Sequence, residues 1–210
     1  MPYSPETAFT RVESDRRTDV PGSIAALEPR EAPLIVAVLR HDARKGVDVL
    51  LRALAKMRES HVVFRACLVG GGMLIDQHRR MVERLNLSGA VTIEGFVPDA
   101  YAYMRHADVF ALPSFEESSG SVSLLEALQV GVAFVASNVD GIPEDVTDGD
   151  SALLVEPGDV SALSQALGRA LTDATMRHRL ARRARGVFVE RFSPETFTEA
   201  VRATYAELEQ

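Results

Sequence analysis

A chain of 210 residues with 46% hydrophobic content can bury a full core, and that length favours one domain with extensions over two complete domains. Its formal net charge of −7 argues against a general polyanion binder, because affinity for nucleic acid rests mostly on Lys and Arg neutralising phosphates. Cys67 is the only cysteine, which excludes an intrachain disulfide framework and a cysteine-based zinc site, and no segment approaches the ~18 apolar residues of a membrane span.

Residues 1–32 are polar and punctuated by proline, and they read as a linker or lead-in segment without the apolar core of a signal peptide. The expected location is cytoplasmic. A domain spanning 33–210 is expected to follow. Leu34 to Leu39 reads as a buried strand, and Val47, Leu50, Leu51, Leu54 and Met57 then recur at helical spacing. A second strand, Val62 to Val69, runs into Gly70-Gly71-Gly72 and a helix through Leu85. Val91 to Glu94 is a third strand, Asp99 to Arg105 a short helix, and Val109 to Leu112 a fourth strand. A polar turn from Glu116 to Ser121 gives way to the helical pattern Val122, Leu125, Glu126, Leu128. Phe134 to Ala136 and Ala152 to Val155 are the remaining strands, with a short turn at Pro143 between them. The tail is helical throughout, carrying Val160, Leu163, Leu167 and Leu171, then Met176 to Phe188, then Phe197, Val201, Tyr205 and Leu208 behind an N-cap at Ser193. Nearly continuous apolar strands alternating with helices predict a doubly wound α/β domain. Its core is a Rossmann-like parallel sheet of about six strands with helices on both faces and a helical C-terminal tail.

Open α/β sheets bind ligands outside the carboxyl ends of their strands, so the loops that follow each strand are where chemistry is expected. The first loop, Arg40-His41-Asp42-Ala43-Arg44-Lys45-Gly46, offers two cations, Arg40 and Lys45, able to neutralise a diphosphate. The second, Gly70-Gly71-Gly72, continues into Met73-Leu74-Ile75 and so lacks the Gly-x-Gly-x-x-Gly fingerprint, which disfavours a nucleotide-dependent oxidoreductase. In the third, Gly95-Phe96-Val97, Phe96 is either a core residue at a strand end or part of a ligand wall. After the fourth strand the turn containing Gly120 and Ser121 opens a helix at Val122, whose first N–H groups have no intrahelical partner and suit a diphosphate. Glu126, a turn further in, is placed to accept from ribose hydroxyls. The five histidines His41, His61, His78, His106 and His178 are scattered and read as surface or packing residues, His41 alone standing beside the expected site. Arg182, Arg183 and Arg185 read as a solvated helix face balanced by acids.

The stretch from Pro113 to Val146 resembles the donor-site motif of retaining GT-B glycosyltransferases of the group-one type, in which two glutamates flank a glycine-bearing turn. Gly141-Ile142-Pro143-Glu144 fits that pattern, as do Arg40 and Lys45-Gly46 for the donor phosphates and Gly95-Phe96-Val97 for the nucleobase. Three departures stand out. Eight residues separate Glu117 from Glu126 where the family has seven, so either the turn carries one extra residue or the first acidic role is lost. Leu39 and Val132 replace a glycine and a proline that the family prefers.

The resemblance implies catalytic roles for Arg40, Lys45 and Glu117, and substrate binding by Gly95, Phe96, Val97, Gly120, Ser121, Val122 and Glu126. It implies a nucleoside diphosphate sugar as donor substrate and no metal ion or other cofactor. Even Tyr3 to Phe9 resembles the segment that leads from an amino-terminal domain into the donor domain. The chain then corresponds to the donor-binding half, with the acceptor domain supplied by the rest of a longer chain or by a partner subunit. A non-catalytic module that binds a nucleotide sugar or a protein partner is the alternative.

Overall fold

The structure, a computed structural model of the chain, describes residues 21–27, 29, 31–117 and 121–208. Six strands, β1 (Leu34–Val38), β2 (Arg65–Val69), β3 (Val91–Gly95), β4 (Val109–Leu112), β5 (Ala133–Ser137) and β6 (Leu153–Val155), form one sheet in the order β3-β2-β1-β4-β5-β6. Every pairing is parallel. Such a sheet buries both faces, which is why the strands are apolar at successive rather than alternate positions. Along β1, Ile35 and Ala37 enter one core layer while Leu34 and Val36 enter the other.

The first layer is covered by α2 (Val47–Glu59), α3 (Ile75–Arg84) and α7 (Val160–Thr172), with Met176 and Leu180 from the start of α8 (Ala174–Val187). The second is covered by α1 (Gly22–Ala25), α4 (Tyr101–His106), α5 (Val122–Val130) and α6 (Ile142–Asp145), and at its centre Phe110 and Phe134 stack with ring centroids 5.7 Å apart. Capping follows composition: Asp159 and Asp173 each accept, at 2.8 Å, from an N–H in the first turn of α7 and α8. After α8 the chain makes one π-helical turn, Phe188–Phe192, and enters α9 (Pro194–Leu208), with Ser193 Oγ accepting from Thr196 N–H at 3.2 Å as the expected cap. Among the described residues no helix is long and apolar enough to cross a membrane.

Two expectations change. The second strand begins at Arg65, not Val62, because its pairing starts opposite Leu34, where β1 itself starts; Val62 still belongs to the helix exit, its N–H donating to the Met57 carbonyl at 3.0 Å. The other strands end within one residue of their apolar runs. The second change lies ahead of Pro33, where residues read as a lead-in contain α1, and Ile24 and Leu27 are buried in the second core layer. A single buried turn is too short for sequence periodicity to reveal. The segment Tyr3 to Phe9 lies outside the described residues.

The strand order decides where a ligand can enter. The chain winds outward from β1 to β3 and returns to β4 on the other side of β1, so the connections that follow β1 and β4 depart in opposite directions and leave a crevice at the carboxyl end of the sheet.

If α1 is part of the domain, Ile24→Ala lowers unfolding free energy by about 2–5 kcal/mol, the range for a buried Ile truncation. Urea denaturation of the two proteins measures it, and an unchanged midpoint would restore the boundary at Pro33.

Candidate functional site

A cleft of ≈ 500 Å³ occupies that crevice, and Arg40, Lys45, Phe96, Glu117, Val122 and Glu126 all line it. A cavity of similar size, ≈ 490 Å³, opens at the amino ends of β2 and β3 beside Val62, Phe64 and Ala90. It contains none of the site residues expected from sequence.

Lys45 closes a short 3-10 turn, Ala43–Lys45, whose start is capped by Asp42 accepting from the Arg44 N–H at 3.1 Å. Gly46 follows with φ +61°, and a Cβ there would stand 2.0 Å from the Pro113 carbonyl oxygen, so the turn can press against the end of β4 only with glycine at this position. The contact continues outward, with the Phe115 N–H donating to the Arg44 carbonyl at 2.7 Å. Lys45 Nζ then donates to Glu117 Oε1 at 2.7 Å, and Ser114 Oγ donates to the same oxygen. The Glu117 side chain is only 3% exposed. A carboxylate so far from water must be paired, and Lys45 is the cation that pairs it. The Glu117 N–H is held in turn by Asp140 Oδ2 at 2.7 Å, Asp140 itself standing at φ +48°. Despite the eight-residue separation, Glu117 therefore points inward. Of the three donors on the Lys45 ammonium, Glu117 takes one.

The other expected residues distribute as follows. Arg40 sits at the rim with a 73% exposed side chain, its Nε 3.7 Å from Asp42 Oδ2. Phe96 is 84% exposed at the mouth, which settles it as cleft wall and not core. Val97 lines the same wall. Gly95 does not line the cleft; its carbonyl accepts from the Gly70 N–H at 2.7 Å and so fixes the glycine loop. Ser121 Oγ accepts from Leu124 N–H and caps α5, with Val122 exposed beside it and Glu126 one turn along. Gly120 and Ser118 lie outside the described residues. Strand-end residues such as Val38, Leu39, Val69 and Leu112 also line the cleft. Sequence reasoning passed over most of these because a strand-end apolar residue carries the same signal whether it faces a core or a cleft.

Two histidines are not scattered at all. His41 and His78 are both buried, and their Nδ1 atoms lie 2.9 Å apart. Burial, then the neighbouring His78 and Arg79, pushes His41 down to about 4, and burial lowers His78 as well against the opposing pull of Asp48. Arg183 and Arg185 are tied to Asp150 and to the Gln129 carbonyl. Among the described residues no group of three or more His, Cys, Asp or Glu side chains is placed to hold a metal ion.

Residues 24–187 match the family described as glycosyl transferases group 1. The chain is 30% identical over 172 residues to the lipopolysaccharide core biosynthesis glycosyltransferase LpsE of Rhizobium meliloti (strain 1021), a match covering 82% of this chain and 49% of that protein. It is 32% identical over 174 residues to the GDP-mannose-dependent alpha-(1-6)-phosphatidylinositol monomannoside mannosyltransferase of Mycolicibacterium smegmatis (strain ATCC 700084 / mc(2)155), covering 77% of this chain and 46% of that one. Among solved structures, Anabaena Alr3699/HepE in complex with UDP shares the fold with a TM-score of 0.78 at 21% identity, over 98% of this chain and 54% of that chain. The chain spans about half the length of these relatives.

The Lys45–Glu117 pair should register as a coupling of about 0.5–3 kcal/mol between Lys45→Met and Glu117→Gln in a double-mutant cycle of urea unfolding. Strict additivity would show that the two side chains do not meet. The buried histidines predict a pH dependence of opposite origin to a carboxylate's. Above the unfolded-state value of 6.5 both states are neutral; as pH falls from there toward about 4 the unfolded chain binds protons that folded His41 refuses, and stability drops. Melting temperatures recorded across that window should fall more steeply for the wild type than for the His41→Leu/His78→Leu double variant, and parallel curves would contradict the assignment.

Proposed function

Since this chain belongs to the glycosyl transferases of group 1, we propose that it is the donor-binding half of a retaining sugar transferase that takes a nucleoside diphosphate sugar into the switch-point cleft. The acceptor is held by a second domain, from the rest of a longer chain or from a partner subunit. One observation carries the reading: three separate segments bring Arg40, Lys45, Phe96, the start of α5 and Glu126 to a single cleft. Two cations, a helix start and an exposed aromatic in one cleft match the diphosphate and the base of a nucleotide. The fold neighbour HepE was solved with UDP, which is consistent with that class of ligand.

In this reading the bond between the anomeric carbon and the diphosphate oxygen breaks with its electron pair going to the diphosphate, while the acceptor hydroxyl oxygen bonds to that carbon on the same face and its proton passes to the departing diphosphate. Arg40, Lys45 and the unpaired N–H groups at the start of α5 stabilise the negative charge that grows there. Charge supplied in this way requires no metal ion. Glu126 accepts from the ribose hydroxyls. Glu117 holds Lys45 toward the cleft through Oε1, and Oε2, which makes no hydrogen bond among the described residues, meets the sugar ring. Phe96 and Val97 flank the nucleobase. The eight-residue separation of the glutamates favours a second reading, a non-catalytic module that binds the same ligand.

Calorimetric titration with UDP, GDP and ADP tests the site. Arg40→Ala should weaken a nucleoside diphosphate by about 1.5–3 kcal/mol, the value of a charge-assisted contact, or roughly ten- to a hundredfold, and should leave a phosphate-free nucleoside unaffected. Glu126→Gln should weaken ribonucleotides but not their 2′,3′-dideoxy analogues. Absence of binding by the wild type to all three diphosphates would remove the reading. Sugar transfer on addition of the acceptor domain separates the enzyme from the non-catalytic module.

A further inference from the structure

His41 follows Arg40 directly, and its ring meets that of His78, on α3, with Nδ1 to Nδ1 2.9 Å. Two neutral imidazoles can approach in this way only if one nitrogen carries a hydrogen and the other is bare. His41 Nε2 is buried without a hydrogen-bond partner. An orphaned N–H is rarer in folded proteins than an orphaned acceptor, so Nε2 is the bare atom and His41 carries its proton on Nδ1. His78 Nδ1 accepts it, and His78 keeps its own proton on Nε2.

The backbone closes a second circuit around this contact. The His41 N–H donates to the Gly71 carbonyl, the Leu74 N–H to the His41 carbonyl, and the His78 N–H to the Leu74 carbonyl, each at 2.9 Å. Gly72, at φ +154°, passes so close that a Cβ would stand 2.4 Å from the His41 carbonyl oxygen. The Arg40 turn, the glycine loop and the start of α3 are thereby one unit, and Arg40, Gly70 and Gly71 of that unit line the cleft.

We propose that His41 and His78 are a positioning pair in which the single proton between their Nδ1 atoms sets the distance from the Arg40 turn to the glycine loop, and so the width of the cleft where phosphates bind. The role rests on the donor reading in that last respect only. A second proton is opposed at both bare nitrogens. On His41 Nε2 it would create a buried N–H with no acceptor, and on His78 Nδ1 it would face the proton already on His41. The charges that face the pair are Arg79, which adds to the repulsion at His41, and Asp48 on α2, which favours protonation of His78; burial outweighs Asp48 there.

The test uses the full chain and two readouts. Nitrogen-15 NMR should show His41 protonated at Nδ1 and His78 at Nε2. On lowering the pH from about 6 to about 3, across the depressed His41 value of about 4, the amide signals of Gly71, Gly72 and Leu74 should move with the ring signals, and in the His41→Leu/His78→Leu variant they should stay fixed. At the higher pH, His78→Ala should weaken UDP or GDP about tenfold or more by stranding the His41 proton, whereas His78→Gln, whose amide oxygen can accept it, should remain within about threefold of the wild type. If His78→Ala does not fold, His78→Gln and the double variant carry the comparison. Loop amides that ignore the ring titration, or rings in which neither Nδ1 is protonated, would overturn the pair as a positioning device. Failure of the wild type to bind either diphosphate would overturn the donor reading instead, and the NMR result would still decide the pair.

Discussion

Everything at the carboxyl end of the sheet depends on one ion pair made across the point where strand order reverses. Glu117 leaves β4 and Lys45 precedes α2, so their 2.7 Å contact joins the two connections that diverge there. The effective cost of taking one ion out of water is several kcal/mol, larger than the hydrogen bonds around it can offset singly. A 3% exposed carboxylate therefore cannot persist without Lys45, and Lys45 cannot reach it unless Gly46 lets its turn press on Pro113. Charge pairing and backbone shape are in this way a single requirement. It fixes how far apart the two loops can stand, and hence the size of the cleft between them.

The cleft inherits an uneven character from its position. Its floor is made of strand ends such as Val38, Val69 and Leu112, which are apolar because the parallel sheet buries both faces. Its polar groups come from the connections, Arg40 and Lys45 after β1 and Glu117, Ser121 and Glu126 after β4. Polar groups so placed specify orientation, and the apolar floor excludes water from their surroundings, which strengthens each electrostatic contact. The buried histidines belong to the same economy of space. They join the glycine loop to the Arg40 turn from behind, without presenting a charge to the cleft.

The turn after β4 shows how a loop fixes the direction of a side chain. Glu117 keeps an inward direction because its N–H is gripped by Asp140, a non-glycine residue held at positive φ, and its carboxylate by Ser114 and Lys45. Backbone strain at one residue costs on the order of 1–3 kcal/mol, a small amount beside an unpaired buried charge. Asp140 lies immediately before Gly141-Ile142-Pro143-Glu144, so that segment and the turn after β4 touch through this bond.

The amino-acid sequence alone determined the class of fold and the order of its elements, because apolar periodicity and glycine or proline punctuation are local properties that each segment carries by itself. It also placed Arg40, Lys45, Phe96, Val97 and Ser121 on loops after strand ends, and Val122 and Glu126 on the helix that follows one of them, where the structure gathers them around one cleft. What it could not supply was anything that depends on which strands are neighbours. The Lys45–Glu117 pair spans 72 residues and the His41–His78 contact 37, and neither separation has a periodic signature. Phe96 had two equal readings until the sheet showed which end of β3 meets solvent, and Ile24 looked like linker until a core layer closed over it. Only the tertiary structure decided these, because burial and pairing are properties of residues brought together by strand order, and strand order is fixed by the packing of the whole sheet.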